Sequence, residues 1–194
     1  MSKMKIMLPV ILLGTSVCVL FACRKDHVIT PPAISGDTTT LFSATIAGVN
    51  WQTDTVTAYL TNEFGDRDKI MTITGYTANK IISVSIRDTS AVLANDSTLN
   101  IQQYDVNLWG STAEFSYLNN RILLRQDSVW QQQGFAENGE ATVTASDGVN
   151  KRVTGTFAFT AKLITIDSDN FKIDTVNVSN GAFTNIPYTL IHRR

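Results

Sequence analysis

Phe42-Ser43-Ala44-Thr45-Ile46-Ala47-Gly48-Val49-Asn50-Trp51 is the stretch whose pattern decides the fold. Phe42, Ala44 and Ile46 alternate with Ser43, Thr45 and Ala47, the period-two signature of a strand with one apolar face. Gly48-Val49-Asn50 then supplies turn chemistry. Trp51 opens a second alternating run, in which Thr53, Thr55, Thr57 and Tyr59 interleave with Asp54, Val56, Ala58 and Leu60. Together the two runs predict a β-hairpin.

The same period continues to the end of the chain, and helical periodicity is hard to find. Residues 70–74 and 81–87 predict a second hairpin, joined through residues 75–79. Further strands are expected at 99–106, 114–118, 121–125, 141–145, 153–162, 163–166, 171–178 and 182–190. Tight turns are expected at residues 146–150 and at Asn180-Gly181, just before the final strand. Twenty-five threonines and only 17% charged residues favour half-buried pleats over helices. The reading is an all-β domain over residues 41–194: a single antiparallel β-sandwich, with a closed β-barrel as the alternative. A short helix is admitted only at residues 90–94.

Upstream of this domain the chain changes character. Met1 to Lys5 is basic, and residues 6–20 are a fifteen-residue apolar run broken by Pro9 and Gly14. A bilayer core needs roughly 20 apolar residues, so this is a targeting segment rather than a membrane span. It closes on Leu20-Phe21-Ala22-Cys23. Cys18 fits less well, because bulky Val17 precedes it and Thr15 stands three places back, where Cys23 has Leu20. Residues 1–22 are therefore read as a lipoprotein signal peptide and Cys23 as the lipidated N-terminus. By resemblance to bacterial lipoproteins, the Cys23 thiol takes a diacylglycerol and its amino group usually a third acyl chain. Burial of two or more chains, at about 0.8 kcal/mol per methylene, anchors durably. Residues 23–40, with Pro31-Pro32, Gly36 and three successive threonines, read as a flexible linker. The expected location is the cell envelope, at the outer membrane, with the periplasmic or surface side left open.

Without residues 1–22 the chain carries 14 basic and 17 acidic side chains. Such a mildly acidic chain lacks the basic field of a nucleic-acid binder. With Cys18 removed and Cys23 acylated no disulfide can form, so stability must come from a packed core.

Three pieces carry a family resemblance: residues 42–51, quoted above; Val153-Thr154-Gly155-Thr156-Phe157-Ala158-Phe159; and Ser179-Asn180-Gly181-Ala182-Phe183 running on to Tyr188. They resemble the Phe-x-Ala-x-x-x-Gly-x-x-Trp, Gly-x-Phe-x-Phe and Asn-Gly-x-Phe motifs of an uncharacterised lipoprotein family of Bacteroidetes, across residues 41–188. That resemblance implies a location and a fold; it implies no activity, cofactor or catalytic residue. In such lipoproteins acidic residues just after the cysteine mark surface export, and here only Lys25-Asp26 resembles that signal. Asp37-Thr38-Thr39 resembles the O-glycosylation signal of exported Bacteroidetes proteins, with Thr38 as the acceptor.

Chemistry is narrowed by subtraction. Only His27 and His192 are present, so a His-based triad or a multi-His zinc site has no parts. An acylated Cys23 rules out thiol catalysis, and no Gly-rich phosphate loop is present. Carboxylate chemistry survives, with Glu114, Asp127, Glu137 and Glu140 as candidates, although solvated surface acids are the simpler reading. Asp66-Arg67-Asp68 and residues 167–170 could gather oxygen ligands for calcium, but Asp and Asn clusters are ordinary turn formers. Trp109, Tyr117 and Trp130 are the candidate ligand-binding rings, with Gln131-Gln132-Gln133-Gly134 as hydrogen-bonding partners; Trp51 reads as core.

The expected protein is a non-catalytic binding or interaction module without cofactor or metal, its partner a glycan or an envelope protein. A carboxylate-dependent glycan hydrolase and a purely structural envelope protein are the alternatives. Labelling cells with a palmitate analogue should mark the wild-type chain and leave Cys23→Ala unlabelled and outside the membrane fraction; a labelled Cys23→Ala would overturn the lipid assignment.

Overall fold

β1 (Leu41–Ile46) and β2 (Val49–Thr53) form the first hairpin, with Phe42 opposite Thr53 and Ile46 opposite Val49. These strands come from a computed structural model that describes residues 41–63, 68–89, 97–106, 111–124, 127–167 and 170–193. The segments expected as signal peptide (residues 1–22) and linker (residues 23–40, with Cys23 and Thr38), the short helix expected at 90–94 and Trp109 lie outside the described residues. The first turn is tighter than Gly48-Val49-Asn50. Ala47 and Gly48 close it alone, at φ of 49° and 82°, the left-handed pair a two-residue hairpin requires.

Thr53-Asp54-Thr55 makes a corner that changes partners. The Thr53 hydroxyl donates to the Tyr76 carbonyl at 2.5 Å and accepts from the Thr55 amide at 3.0 Å. The chain thereby leaves β1 and continues as β3 (Val56–Glu63), which pairs with β4 (Lys69–Tyr76). β4 and β5 (Lys80–Asp88) form the second expected hairpin, from Lys69 opposite Asp88 to Tyr76 opposite Ile81.

Beyond residue 97 the strands differ from the sequence pattern. The strand expected at 99–106 contracts to β6 (Gln103–Asp105), because the preceding residues cross the end of the sheet. The strands expected at 114–118 and 121–125 are one, β7 (Ala113–Leu124): Asn120, at φ 57°, is absorbed without a change of register against the next strand. That next strand, β8 (Asp127–Asp147), is followed by β9 (Arg152–Asp167), β10 (Asn170–Pro187) and β11 (Thr189–Arg193).

Residues 147–151 turn as expected. The Asp147 carboxylate accepts the Asn150 amide at 2.9 Å, Asn150 Nδ2 at 2.6 Å and the Val149 amide at 2.8 Å, which holds its pKa below the ordinary carboxylate value. Asn180-Gly181, by contrast, is not a turn. Asn180, at φ 49°, sits in a bulge where the register of β10 against β9 shifts between Val178 and Gly181; Asn185, at φ 53°, accompanies a second shift. Bulges bend a strand without ending it, which lets the eighteen residues of β10 wrap the core.

The strands form one curled sheet in the order β11-β3-β4-β5-β7-β8-β9-β10-β1-β2, with β6 added beside β8. Pairing is antiparallel except between β11 and β3. The fold is all-β, as expected. It is a half-barrel whose two flanks face each other as the layers of a sandwich do, although the hydrogen bonding is continuous from flank to flank. β1 and β4 are not neighbours in the sheet, yet a Cβ on Gly75 of β4 would lie 2.6 Å from the Phe42 ring of β1.

Between the flanks, phenylalanine rings stack. Phe42 lies 5.2 Å from Phe157, Phe115 4.8 Å from Phe159, and Phe157 6.5 Å from Phe183. The three pieces of sequence that carry the family resemblance thus meet in the core. Gly155 and Gly181 make room for these rings: a Cβ on Gly155 would lie 2.4 Å from Phe183 and 2.2 Å from the Thr142 carbonyl, and one on Gly181 would lie 2.5 Å from Phe157.

A polar plug closes one end. Lys69, almost fully buried, places its ammonium 2.7 Å from the Thr98 carbonyl and 3.7 Å from the carboxylate of buried Asp88, which accepts the Asn100 amide at 2.8 Å. The Tyr104 hydroxyl donates to the Asn100 carbonyl at 2.9 Å, and the Tyr188 hydroxyl donates to the Ser97 carbonyl. Burial, and then the negative charge of Asp88, push the Tyr104 phenol up to about 12.

Two outcomes follow from this packing. Gly155→Ala should lower stability by about 3 kcal/mol through overpacking. Gly48→Ala meets open space and should cost only about 1 kcal/mol in left-handed strain. Denaturation midpoints test the contrast, and equal losses would contradict it. For Tyr104, a folded pKa above the unfolded value near 10 stabilises the fold below that pH. This contribution should be lost as pH rises from about 10 to about 12, and Tyr104→Phe should show a shallower alkaline decline in an unfolding titration.

Candidate functional site

The end opposite the plug, where the β1–β2 turn lies, holds a cavity of about 390 Å³. Ile46, Val49, Trp51, Tyr117, Leu163 and Val176 form its apolar wall, and Asn50, Lys80, Asn119 and Thr175 line it with polar groups. Ile46 and Val49 pair directly beside the β1–β2 turn, and Tyr117 of β7 and Leu163 of β9 both stand opposite Gly134 of β8. Trp51 packs edge-on against Phe42 at 5.9 Å and donates its indole N–H to the Thr77 hydroxyl at 3.4 Å. It is half-buried, serving both the core and the cavity. Tyr117 is only 3% exposed, and burial raises its pKa.

A ladder of side-chain hydrogen bonds runs from this cavity across four strands. The Lys80 ammonium on β5 donates to Asn119 Oδ1 on β7 at 2.7 Å. Asn119 Nδ2 donates to Gln132 Oε1 on β8 at 2.6 Å, and Gln132 Nε2 donates to the Thr165 hydroxyl on β9 at 3.4 Å. Every amide is oriented by its neighbour, so all donors run the same way from the cation.

Two of the three candidate rings share this surface. Tyr117 stands opposite Gly134 and Arg121 opposite Trp130 on the β7–β8 pair. Alternation puts Trp130, Gln132 and Gly134 on one face of β8, with Trp130 about 13 Å along the strand from the Tyr117 rung. The rings are therefore carried by strands rather than loops. Gln132 lies between them, Gln131 accepts a hydrogen bond from Asn120, and Gln133 is exposed. The cross-strand amide pairs Asn119–Gln132 and Asn120–Gln131 stabilise strand structure in a segment of weak β-propensity. The third ring, Trp109, is outside the described residues.

The candidate carboxylates scatter. Glu114 is exposed on β7, Glu137 pairs with Lys162 at 3.6 Å, and the Asp127 side chain is outside the described set. Glu140 has a partner that sequence reading missed. Asp105 of β6 stands directly opposite it, and Gln103 Nε2 donates to both, at 2.8 Å to Asp105 and 3.0 Å to Glu140. Both acids line a shallow groove of about 430 Å³ on the outer face, with Asn138, Thr160 and Asn177. Nothing in the local sequence around Asp105 signals this pairing; only the β6–β8 register creates it.

For calcium, Asp68 pairs with Arg87 at 3.8 Å, and Asp66, Arg67, Ser168 and Asp169 lie outside the described residues. Among the described residues, no three His, Cys, Asp or Glu side chains gather as metal ligands.

One family model matches the chain: a domain of unknown function (DUF6252), over residues 38–187. No curated protein and no solved structure matches.

Proposed function

The chain belongs to the DUF6252 family, and from that premise we propose that it is a lipid-anchored envelope protein whose all-β domain binds a glycan without chemical turnover. The observation that carries this reading is the cavity at the open end, with its hydrogen-bonded ladder. Half-buried Trp51 in an apolar wall suits the C–H face of a sugar ring, and fixed amides suit its hydroxyls. Trp130 extends the same face beyond the cavity. Leu20-Phe21-Ala22-Cys23 and the resemblance to Bacteroidetes lipoproteins support the anchor, and the Pro- and Thr-rich linker supports presentation of the domain away from lipid.

A second reading rests on Asp105 and Glu140. Sharing one amide donor keeps the two carboxyl groups close, in the manner of the roughly 5–5.5 Å pair of a retaining glycosidase. Their open groove on the convex face offers less enclosure than the end cavity, so binding is preferred over hydrolysis.

The full chain in detergent micelles, applied to a glycan array and assayed for hydrolysis of the same glycans, separates the readings. Binding should weaken about tenfold with Asn119→Ala or Trp130→Ala and be unchanged by Glu140→Gln. Turnover abolished by Glu140→Gln would establish the hydrolase instead, and silence in both assays would favour a structural role.

A further inference from the structure

We propose that the end cavity selects an acidic sugar, a uronate-type ring, and that Lys80 is the counter-charge for its carboxylate. This rests on the glycan-binding reading and specifies its ligand. Among the described residues that line the cavity, Lys80 is the one with a charged side chain. The ion pairs between described residues join Lys69 to Asp88, Arg87 to Asp68, Lys162 to Glu137 and Lys172 to Asp174. Lys80 belongs to none of them, and its side-chain partner is a neutral amide, Asn119 Oδ1 at 2.7 Å. An ammonium has three donors, and Asn119 takes one.

A cation beside an apolar wall is stabilised by an opposite charge, and a charge-assisted hydrogen bond is about twice as strong as a neutral one. Lys80 is also held in place. Asn119 is locked by Gln132, so the long lysine side chain has already given up freedom that a loose cation would lose on binding. A space of about 390 Å³ falls in the small-ligand range of roughly 300–1,000 Å³ and suits a ring-sized body. Asn50, Asn119 and Thr175 give hydroxyl partners that a straight acyl carboxylate would leave unused. The geometry thus favours a polyhydroxylated ring bearing one carboxylate.

Calorimetry on the full chain in detergent micelles should compare oligogalacturonate, a neutral galacto-oligosaccharide of equal length, and octanoate. The acidic saccharide should bind at least about tenfold more tightly than the neutral one. That preference should fall below about twofold in Lys80→Met, survive in Lys80→Arg and shrink with added salt. An unchanged denaturation midpoint for Lys80→Met confirms that the fold is intact; if it drops, the Lys80→Arg preference and the salt dependence decide. Equal affinity for the two saccharides, or a preference that survives Lys80→Met, overturns the role of Lys80 and leaves the glycan reading standing. Octanoate binding more tightly than both overturns the sugar class. If none of the three binds and the glycan array is also silent, the binding reading itself falls.

Discussion

Phenylalanine stacked on glycine across the curl of one sheet is the constraint on which the rest of the structure depends. A continuous sheet can face itself only where its two flanks come close, and close approach requires positions without a Cβ. Gly75 receives Phe42 from the opposite flank, while Gly155 and Gly181 receive Phe183 and Phe157 from neighbouring strands. Each ring fills space that a side chain on the glycine would have taken, so ring and glycine act as a unit. The curvature that results is helped by bulges at Asn180 and Asn185, which bend β10 without breaking its pairing.

The two ends of the half-barrel are built from opposite chemistry. At one, residues 97–102 cross the opening and bring backbone groups toward Lys69, Asp88, Ser146 and Tyr188, so each buried polar atom meets a partner. At the other, a cavity is lined by the edge of the core, by exposed Val49 and half-buried Trp51, and by a cation and its amide partner. Among the described residues, a polar end and a mixed apolar and polar end give the scaffold a concave site beside the β1–β2 turn. Binding surfaces commonly take this form, because a rigid rim holds polar groups in place before a ligand arrives.

Much of the fold was legible in the sequence because period two survives one-sided burial. The alternation of Phe42, Ala44 and Ile46, and that of Met71 and Ile73 in β4, reads directly as an inward face. Lengths and turns were less legible. Asn180-Gly181 looks like a turn to any local rule, and only the register against β9 reveals a bulge. The break expected between residues 118 and 121 vanishes because β8 pairs with β7 on both sides of Asn120. Of the candidate site, Tyr117, Trp130 and Gln132 were visible as residue types. Lys80 and Asn119 were not, since a lysine before a strand and an asparagine within one carry no local sign of meeting.

The sequence by itself determined the strand period, the apolar identity of the inward face and the scarcity of histidine, with two in the chain; these depend on composition and on neighbours one or two residues apart. Tertiary structure alone decided that three distant pieces would stack their rings in one core, that Asp105 would face Glu140, and that Lys80 would meet Asn119. Those contacts follow from register between strands up to scores of residues apart. A shift of one residue in register turns every side chain to the other face, so no local pattern can encode which distant groups become neighbours.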